Sequence, residues 1–301
     1  MRSSLRTELH SLPTATTPGP EHPMSSRPGE ILRTAELQLA SAHVEAPRAA
    51  VEVLLMWVLD TDRAGLYARS STLTAHEREA FERAVGRVAS GTPVQHLTGE
   101  QVFRGLVLRV RPGVFVPRPE TELLVDRALE LVAGVEAPSV VDVGTGTGAI
   151  ALAIASERPG ARIVATDRSP DAVALALENA SRLGVKLDLR EGDLLTALDT
   201  RDRGALDLVV SNPPYVRSTE FASLPTVVRE DPVHALVGEI DVYERLAADA
   251  AAWLRGGGGV AVEIGESQAA EVVEVFAGSF TSTRVHRDLT GRDRFVTGRR
   301  R

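Results

Sequence analysis

Leu206-Asp207-Leu208-Val209-Val210-Ser211-Asn212-Pro213-Pro214-Tyr215 begins as an apolar run and ends in a corner. The run has the length and composition of a strand buried in a parallel sheet. Two consecutive prolines stop it, since neither has an N–H for the ladder and each fixes φ. The chain therefore leaves the sheet stiffly at the strand's carboxyl end, with an amide side chain before the turn and a phenol after it. Open α/β sheets bind their ligands at that end. An amide, two proline carbonyls and an aromatic plate suit a flat amide or amino-aromatic group. Taken alone, the tetrapeptide also reads as a plain proline breaker with Tyr215 as packing.

Around this stretch strands and helices alternate. Upstream, Val140 to Val143 reads as a strand, residues 149–157 as a helix, and Ile163 to Thr166 as a strand ending in Asp167. A helix over 170–183 follows, then a short strand over Leu187 to Leu189 closed by Gly192-Asp193. Downstream come a helix over 242–254, a turn at Gly256 to Gly259, a strand over 260–264 and a helix over 267–276. Val285 and Phe295-Val296 suggest a final pair of strands. Such alternation predicts a parallel sheet covered on both faces.

The amino-terminal third has a different period. Residues 1–29, rich in Ser, Thr and Pro, read as a disordered tail, with Met24 as a candidate alternative start. Ile31, Ala35, Leu39 and Ala42 share one helical face, and Pro47 opens a helix carrying Val51, Leu54, Leu55, Val58 and Leu59. Thr74 and Glu77 form a capping box at the head of a helix that Gly91 and Pro93 stop. Residues 30–92 are thus a small helical bundle. Residues 93–118 contain a hairpin, Val102-Phe103 and Val107 to Val110 flanking Arg104-Gly105-Leu106, and 119–301 form the larger domain. Arg118 and Glu122 are either surface charges or part of a lining beside that domain.

Composition narrows the classes. At 301 residues with 43% hydrophobic content the chain can bury cores for about two domains. No cysteine is present, which removes disulfides, thiol nucleophiles and cysteine zinc sites; no other metal site is evident. A net charge of −7 argues against a broad basic face for nucleic acid. No run approaches the ~18 apolar residues of a membrane span, and no signal-peptide core is seen, so the expected location is cytoplasmic.

Gly144-Thr145-Gly146-Thr147-Gly148 follows a strand and opens a helix, as a nucleotide-type loop must. Its spacing is not the Gly-x-Gly-x-x-Gly of dinucleotide binding, and no lysine makes it a P-loop. Asp142 is expected to aim a negative charge at the site, which favours a sulfonium over a pyrophosphate and so S-adenosylmethionine over NAD. Asp167, at the next strand end, is placed for both ribose hydroxyls. Asp193 and Leu194 are placed for the adenine, the acid by its amine and the leucine on its face. Read singly, each acid is an ordinary helix cap or turn residue; three at successive strand ends read better as one site.

With loop, acids and Asn212-Pro213-Pro214-Tyr215 in order, the chain resembles class I methyltransferases acting on planar nitrogen. Pro93 to Glu100, Val116-Pro117-Arg118-Pro119-Glu120-Thr121-Glu122, Asp142 to Ala151 and Asp288 to Phe295 narrow the resemblance. They are similar to the protein-(glutamine-N5) methyltransferases of peptide chain release factors, over about residues 30–300. The resemblance implies a Rossmann-like α/β sheet, S-adenosyl-L-methionine as cofactor, and a class 1 release factor as protein substrate, methylated on the glutamine of Gly-Gly-Gln. The stretch Arg229-Glu230-Asp231-Pro232 departs from the family's Arg, aromatic, Glu, Pro, which leaves the wall of the substrate pocket open.

An amide nitrogen is a poor nucleophile, and positioning is expected to do most of the catalysis. Asn212 Oδ1 and the Pro213 carbonyl would accept the two N–H bonds, with Pro214 and Tyr215 completing the substrate pocket. His96, His234 and His286 are bases only on paper and read better as surface or structural residues. The rivals are an N6-adenine DNA or RNA base methyltransferase, which the acidic charge disfavours, and a non-catalytic nucleotide binder. An NAD-dependent dehydrogenase fails on the loop spacing.

Overall fold

The computed structural model describes residues 28–301. The expected tail and the alternative start at Met24 lie outside them, except that Pro28 and Gly29 belong to the first helix. The chain divides into two compact units, one ending at Gly99 and the other spanning Glu100–Arg301.

The first unit is helical: α1 Pro28–Ser41, α2 Pro47–Leu59, α3 Arg63–Ala68, α4 Ala75–Ala89 and α5 Val94–Thr98. Ile31, Ala35 and Leu39 of α1 meet Val51, Leu54 and Leu55 of α2 and Phe81 and Val85 of α4 in one core. The Thr74–Glu77 capping box forms, satisfying two backbone donors that a helix start leaves unpaired.

The second unit opens with a hairpin, β1 Glu100–Phe103 and β2 Leu106–Arg109, paired antiparallel. Its turn is two residues, not three. Arg104 and Gly105 both have positive φ, 47° and 77°, as a tight hairpin turn requires, so Leu106 already pairs with Phe103. Helix α6, Thr121–Leu131, then leads into a seven-stranded sheet of order β5-β4-β3-β6-β7-β9-β8. Its strands are β3 Ser139–Val143, β4 Arg162–Asp167, β5 Asp188–Glu191, β6 Leu206–Ser211, β7 Leu254–Glu263, β8 Phe280–Arg287 and β9 Asp293–Arg300. The intervening helices are α7 Ala149–Glu157, α8 Pro170–Leu183, α9 Thr226–Arg229, α10 Val233–Leu236, α11 Ile240–Trp253 and α12 Ala269–Ala277.

The expected α/β class stands, with two corrections. The sheet is mixed, because β9 pairs antiparallel with both β7 and β8. Gly256 to Gly259 do not turn the chain between elements but lie inside β7, where the register slips against Leu206 and Leu208. The physical reason is pairing: Gly259 is laddered to Leu208 on one side and Arg299 on the other, and it is glycine because a Cβ there would come within 2.9 Å of Leu131 on α6.

Side chains alternate across the sheet as a pleat demands. Val140, Ile163, Leu208, Val210 and Phe295 pack under α6 and α7 on one face. Val141, Val164, Val209, Val262 and Val296 pack under α11 and α12 on the other. Strand order reverses between β3 and β6, the switch point at which such sheets hold ligands.

Candidate active site

β3 and β6 are neighbours, and their last residues, Val143 and Ser211, are register partners. The Gly144 loop and Asn212 therefore leave adjacent strands, roughly 4.8 Å apart, side by side. Ser211 Oγ donates to the Val143 carbonyl at 2.8 Å and ties the two ends together. Above them opens a cavity of about 400 Å³, in the range of small-molecule sites.

Gly144, Thr145, Gly146 and Thr147 line this cleft, as do Asp167, Asp193 and Leu194. Gly144 and Gly146 have φ of 72° and 56°, and a Cβ on either would meet nothing within 4 Å. They are glycines for backbone conformation, and the loop presents bare main chain to open space. Gly144 N and Thr145 N both donate to the Thr166 carbonyl, and Gly146 N donates to Asp167 Oδ2 at 2.9 Å. Asp167 Oδ1 accepts Ser169 N, also at 2.9 Å. Asp193 pairs with Arg245. Leu194 sits at φ 51°, a strained left-handed conformation for a leucine, held by Thr166 Oγ1 donating to its carbonyl at 2.8 Å.

Asp142 and Gly148 are not among the lining residues. Asp142 is wholly buried on the α7 face of β3. Its Oδ2 accepts the Thr145 hydroxyl at 2.6 Å and Ala151 N at 3.1 Å, so it braces the loop from behind. Burial pushes its carboxyl up to about 7. The expectation that its charge faces the ligand is corrected, and with it the electrostatic case against NAD; the alternating pleat decides which way the carboxylate turns. Gly148, at φ 84°, would put a Cβ 3.2 Å from both Ala176 and Leu152. Its role is close packing of α7 on α8.

Asn212, Pro213, Pro214 and Tyr215 line the other side of the cleft. Asn212 Nδ2 donates to Thr121 Oγ1 at 3.2 Å, and Thr121 Oγ1 donates to Glu263 Oε2 at 2.8 Å. The Tyr215 phenol donates to Glu263 Oε1 at 3.3 Å, and burial holds its pKa above the ordinary value. Gln268 Nε2 donates to the Tyr215 carbonyl at 2.9 Å. Gly238 closes on the corner from outside, where any Cβ would lie 2.1 Å from the Pro214 oxygen.

In the stretch that departs from the family pattern, Asp231 acts as a brace. Asp231, 3% exposed, accepts Val116 N at 3.1 Å and pairs with Arg118 at 2.5 Å. Arg118 lines the cleft with its guanidinium over the Phe115 ring, 5.2 Å from the centroid. Glu122 does not line it; its carboxylate accepts the backbone N–H of Arg104 in the hairpin turn. Of the histidines, His234 reaches the rim and is exposed, whereas His286 faces Thr297 in the β8–β9 pair.

Sequence reading missed Thr121, Glu263, Asn179, Gln268 and Gly238. Asn179 is buried and binds three backbone groups: Arg109 N at 2.7 Å, Arg109 O at 3.1 Å and Thr147 O at 2.9 Å. It joins the glycine loop to the hairpin. A signal existed for Glu263, a lone charge ending the apolar run Val260-Ala261-Val262. Thr121 lies in the Val116 to Glu122 stretch that carries the family resemblance, and no comparable pattern marks Asn179, Gln268 or Gly238.

The cleft residues fit an adenosyl donor. Carboxylates at and just beyond two successive strand ends have the chemistry to accept hydroxyl and amine hydrogens, an exposed glycine backbone allows close approach, and Thr147 Oγ1 is buried without a partner. Residues 30–99 match the family model described as PrmC N-terminal domain, and residues 107–224 match the methyltransferase small domain. The release factor glutamine methyltransferase of Mycolicibacterium smegmatis is 44% identical over 278 residues, covering 89% of this chain and 96% of that protein. The one from Moorella thermoacetica is 40% identical, covering 91% and 97%. Among solved structures, the T. thermophilus 16S rRNA N2 G1207 methyltransferase with AdoMet and guanosine has a TM-score of 0.50 at 24% identity. It covers 67% of this chain and 50% of that one, a likeness of fold.

Proposed function

The chain belongs to the release factor glutamine methyltransferases, and from that premise we propose that Asn212, Pro213 and Tyr215 hold the acceptor amide at the mouth of the glycine loop. The protein is an enzyme that transfers a methyl group from S-adenosyl-L-methionine to the side-chain amide nitrogen (N5) of glutamine in a peptide chain release factor. We assign Gly144 to Thr147, Asp167, Asp193 and Leu194 to the cofactor. The glutamine is that of Gly-Gly-Gln in class 1 release factors, and the reaction is cytoplasmic, without direct nucleic-acid binding. Among the described residues no helix is long and apolar enough to cross a membrane.

When bound, the cofactor supplies a methyl carbon on a positively charged sulfur. The protein's work is to aim a weak nucleophile. Asn212 Oδ1 and the Pro213 carbonyl accept the two N–H bonds of the substrate amide, which points the nitrogen lone pair outward from that plane. Pro214 has no N–H to compete for a neighbouring acceptor, and Tyr215 packs against the amide plane. The same carbonyl oxygens stabilise positive charge as it develops on nitrogen. Positioning of this kind is worth roughly 7–11 kcal/mol when reacting atoms are held at near-attack distance.

The observation that carries this reading is the Val143–Ser211 register, which brings loop and amide together. The test offers labelled S-adenosyl-L-methionine with purified release factor, with the factor bearing alanine for the tripeptide glutamine, and with tRNA or DNA. Label enters only the intact factor. Label on nucleic acid alone would transfer the case to a base methyltransferase. Asn212→Ala abolishes turnover while cofactor affinity stays within about tenfold; sustained methyl transfer by that variant would end the orienting role.

A further inference from the structure

Glu263 is a carboxylate 1% exposed at the end of a buried strand, and it also borders the cleft. It holds both arms of the substrate corner: Thr121 on Oε2 at 2.8 Å and Tyr215 on Oε1 at 3.3 Å. Thr121 Oγ1 in turn lies 3.2 Å from the Asn212 amide.

Hydrogen-bond chemistry then fixes a direction along this chain. An ionised carboxylate only accepts, so the single hydroxyl proton of Thr121 must point at Glu263. Thr121 Oγ1 has only lone pairs left for Asn212. The end of the Asn212 amide that meets it must be the NH2, and Oδ1 is turned the other way, to the cleft. A reversed amide would set its NH2 against the substrate NH2, donor against donor.

We infer that Thr121 and Glu263 are positioning residues for methyl transfer, the chain Glu263–Thr121–Asn212 selecting which end of the Asn212 amide faces the substrate glutamine. The inference rests on the reading of Asn212 as the acceptor of the substrate N–H. It adds a protonation requirement. A proton on Glu263 can be donated to Thr121 Oγ1, freeing the threonine hydroxyl to donate to Asn212 Oδ1 and invert the amide. Facing Glu263 are Thr121 and Glu120 from the start of α6, Tyr215 after β6, Arg294 of β9, and Tyr243 of α11, whose phenol donates to the Glu263 carbonyl. Burial raises the Glu263 carboxyl to about 7, and Glu120 adds to this; Thr121, Arg294 and Tyr215 oppose it. Orientation is thus secured on the alkaline side of neutrality and lost on the acid side.

The experiment compares wild type, Thr121→Val, Thr121→Ser, Glu263→Gln and Asn212→Ala, each as full chain. It reads kcat and KM for release factor across neutrality, and cofactor affinity by calorimetry. Thr121→Val lowers kcat by about 10²-fold, the scale of a slight misplacement, with KM and cofactor affinity little changed. Thr121→Ser restores most of kcat. The acid limb of the wild-type kcat profile near neutrality disappears in Glu263→Gln. A wild-type kcat in Thr121→Val overturns the relay, as does an equal loss of cofactor affinity, or an acid limb that persists unchanged in Glu263→Gln. If Thr121→Val fails to fold, Thr121→Ser and Glu263→Gln still decide. Turnover by Asn212→Ala would instead remove the underlying reading of Asn212; an inactive Asn212→Ala beside a fully active Thr121→Val removes the relay alone.

Discussion

Replacing Glu263 by glutamine should remove a loss of stability that the wild type undergoes as the solution turns alkaline. Its carboxyl ordinarily titrates at 4.5, and burial raises it to about 7 in the fold. A carboxyl with a raised native pKa binds its proton more tightly when folded, so its stabilising effect is complete below 4.5 and is lost as pH climbs through about 7. At 1.36 kcal/mol per pH unit, the swing between those limits is about 3 kcal/mol, most of it between about pH 5 and pH 8. Glutamine does not titrate and keeps an acceptor for Thr121. The stability of Glu263→Gln relative to wild type should therefore rise by about 3 kcal/mol over that interval, worth roughly 6–12 °C in Tm for a unit of this size. Asp142 shifts in the same direction, but it is present in both proteins and cancels in the difference. Urea denaturation of both proteins across the interval measures it. Parallel stability curves would show that Glu263 is not titrating from a raised value, and the protonation step of the relay would fall with it. The positive result would mark a trade of stability for orientation at the acceptor corner.

Two further substitutions probe the frame around the cleft. Asn179→Ala leaves three backbone groups without their side-chain partner. At roughly 1–3 kcal/mol for a buried unsatisfied group, unfolding free energy should drop by about 3 kcal/mol, and calorimetry should show weaker cofactor binding because Thr147 is released. Gly238→Ala drives a Cβ to 2.1 Å from the Pro214 oxygen, so the corner must shift. A misplacement near 1 Å costs about 10²-fold in rate, and the loss should appear in kcat with cofactor affinity intact; an unchanged kcat would mean that Gly238 does not set the corner.

Much of the site can be read from the linear chain, for reasons specific to its parts. The glycine loop shows itself because main chain that must adopt positive φ needs glycine at Gly144 and Gly146. Asn212 to Tyr215 shows itself because proline cannot stay in a sheet. Asp167 stands out as the acid closing an apolar strand, and Asp193 as an acid two residues beyond the short β5. These are local demands, and local sequence meets them.

Other features depend on what arrives from elsewhere in the chain. The pleat turns Asp142 away from the cleft and into a brace, although its place before the loop suggests the opposite. Gly256 to Gly259 look like a turn and are strand, because Gly259 pairs with Leu208 and Arg299 from distant parts of the chain while Leu131 on α6 leaves it no room for a side chain. Thr121 meets Asn212 across 91 residues of chain and Glu263 across 142. The sequence by itself determined the α/β alternation, the positive-φ glycine loop and the proline corner after Ser211, since each is imposed by backbone chemistry within a few residues. Only the tertiary structure decided which way the Asn212 amide points, because a hydrogen bond takes its direction from its partner.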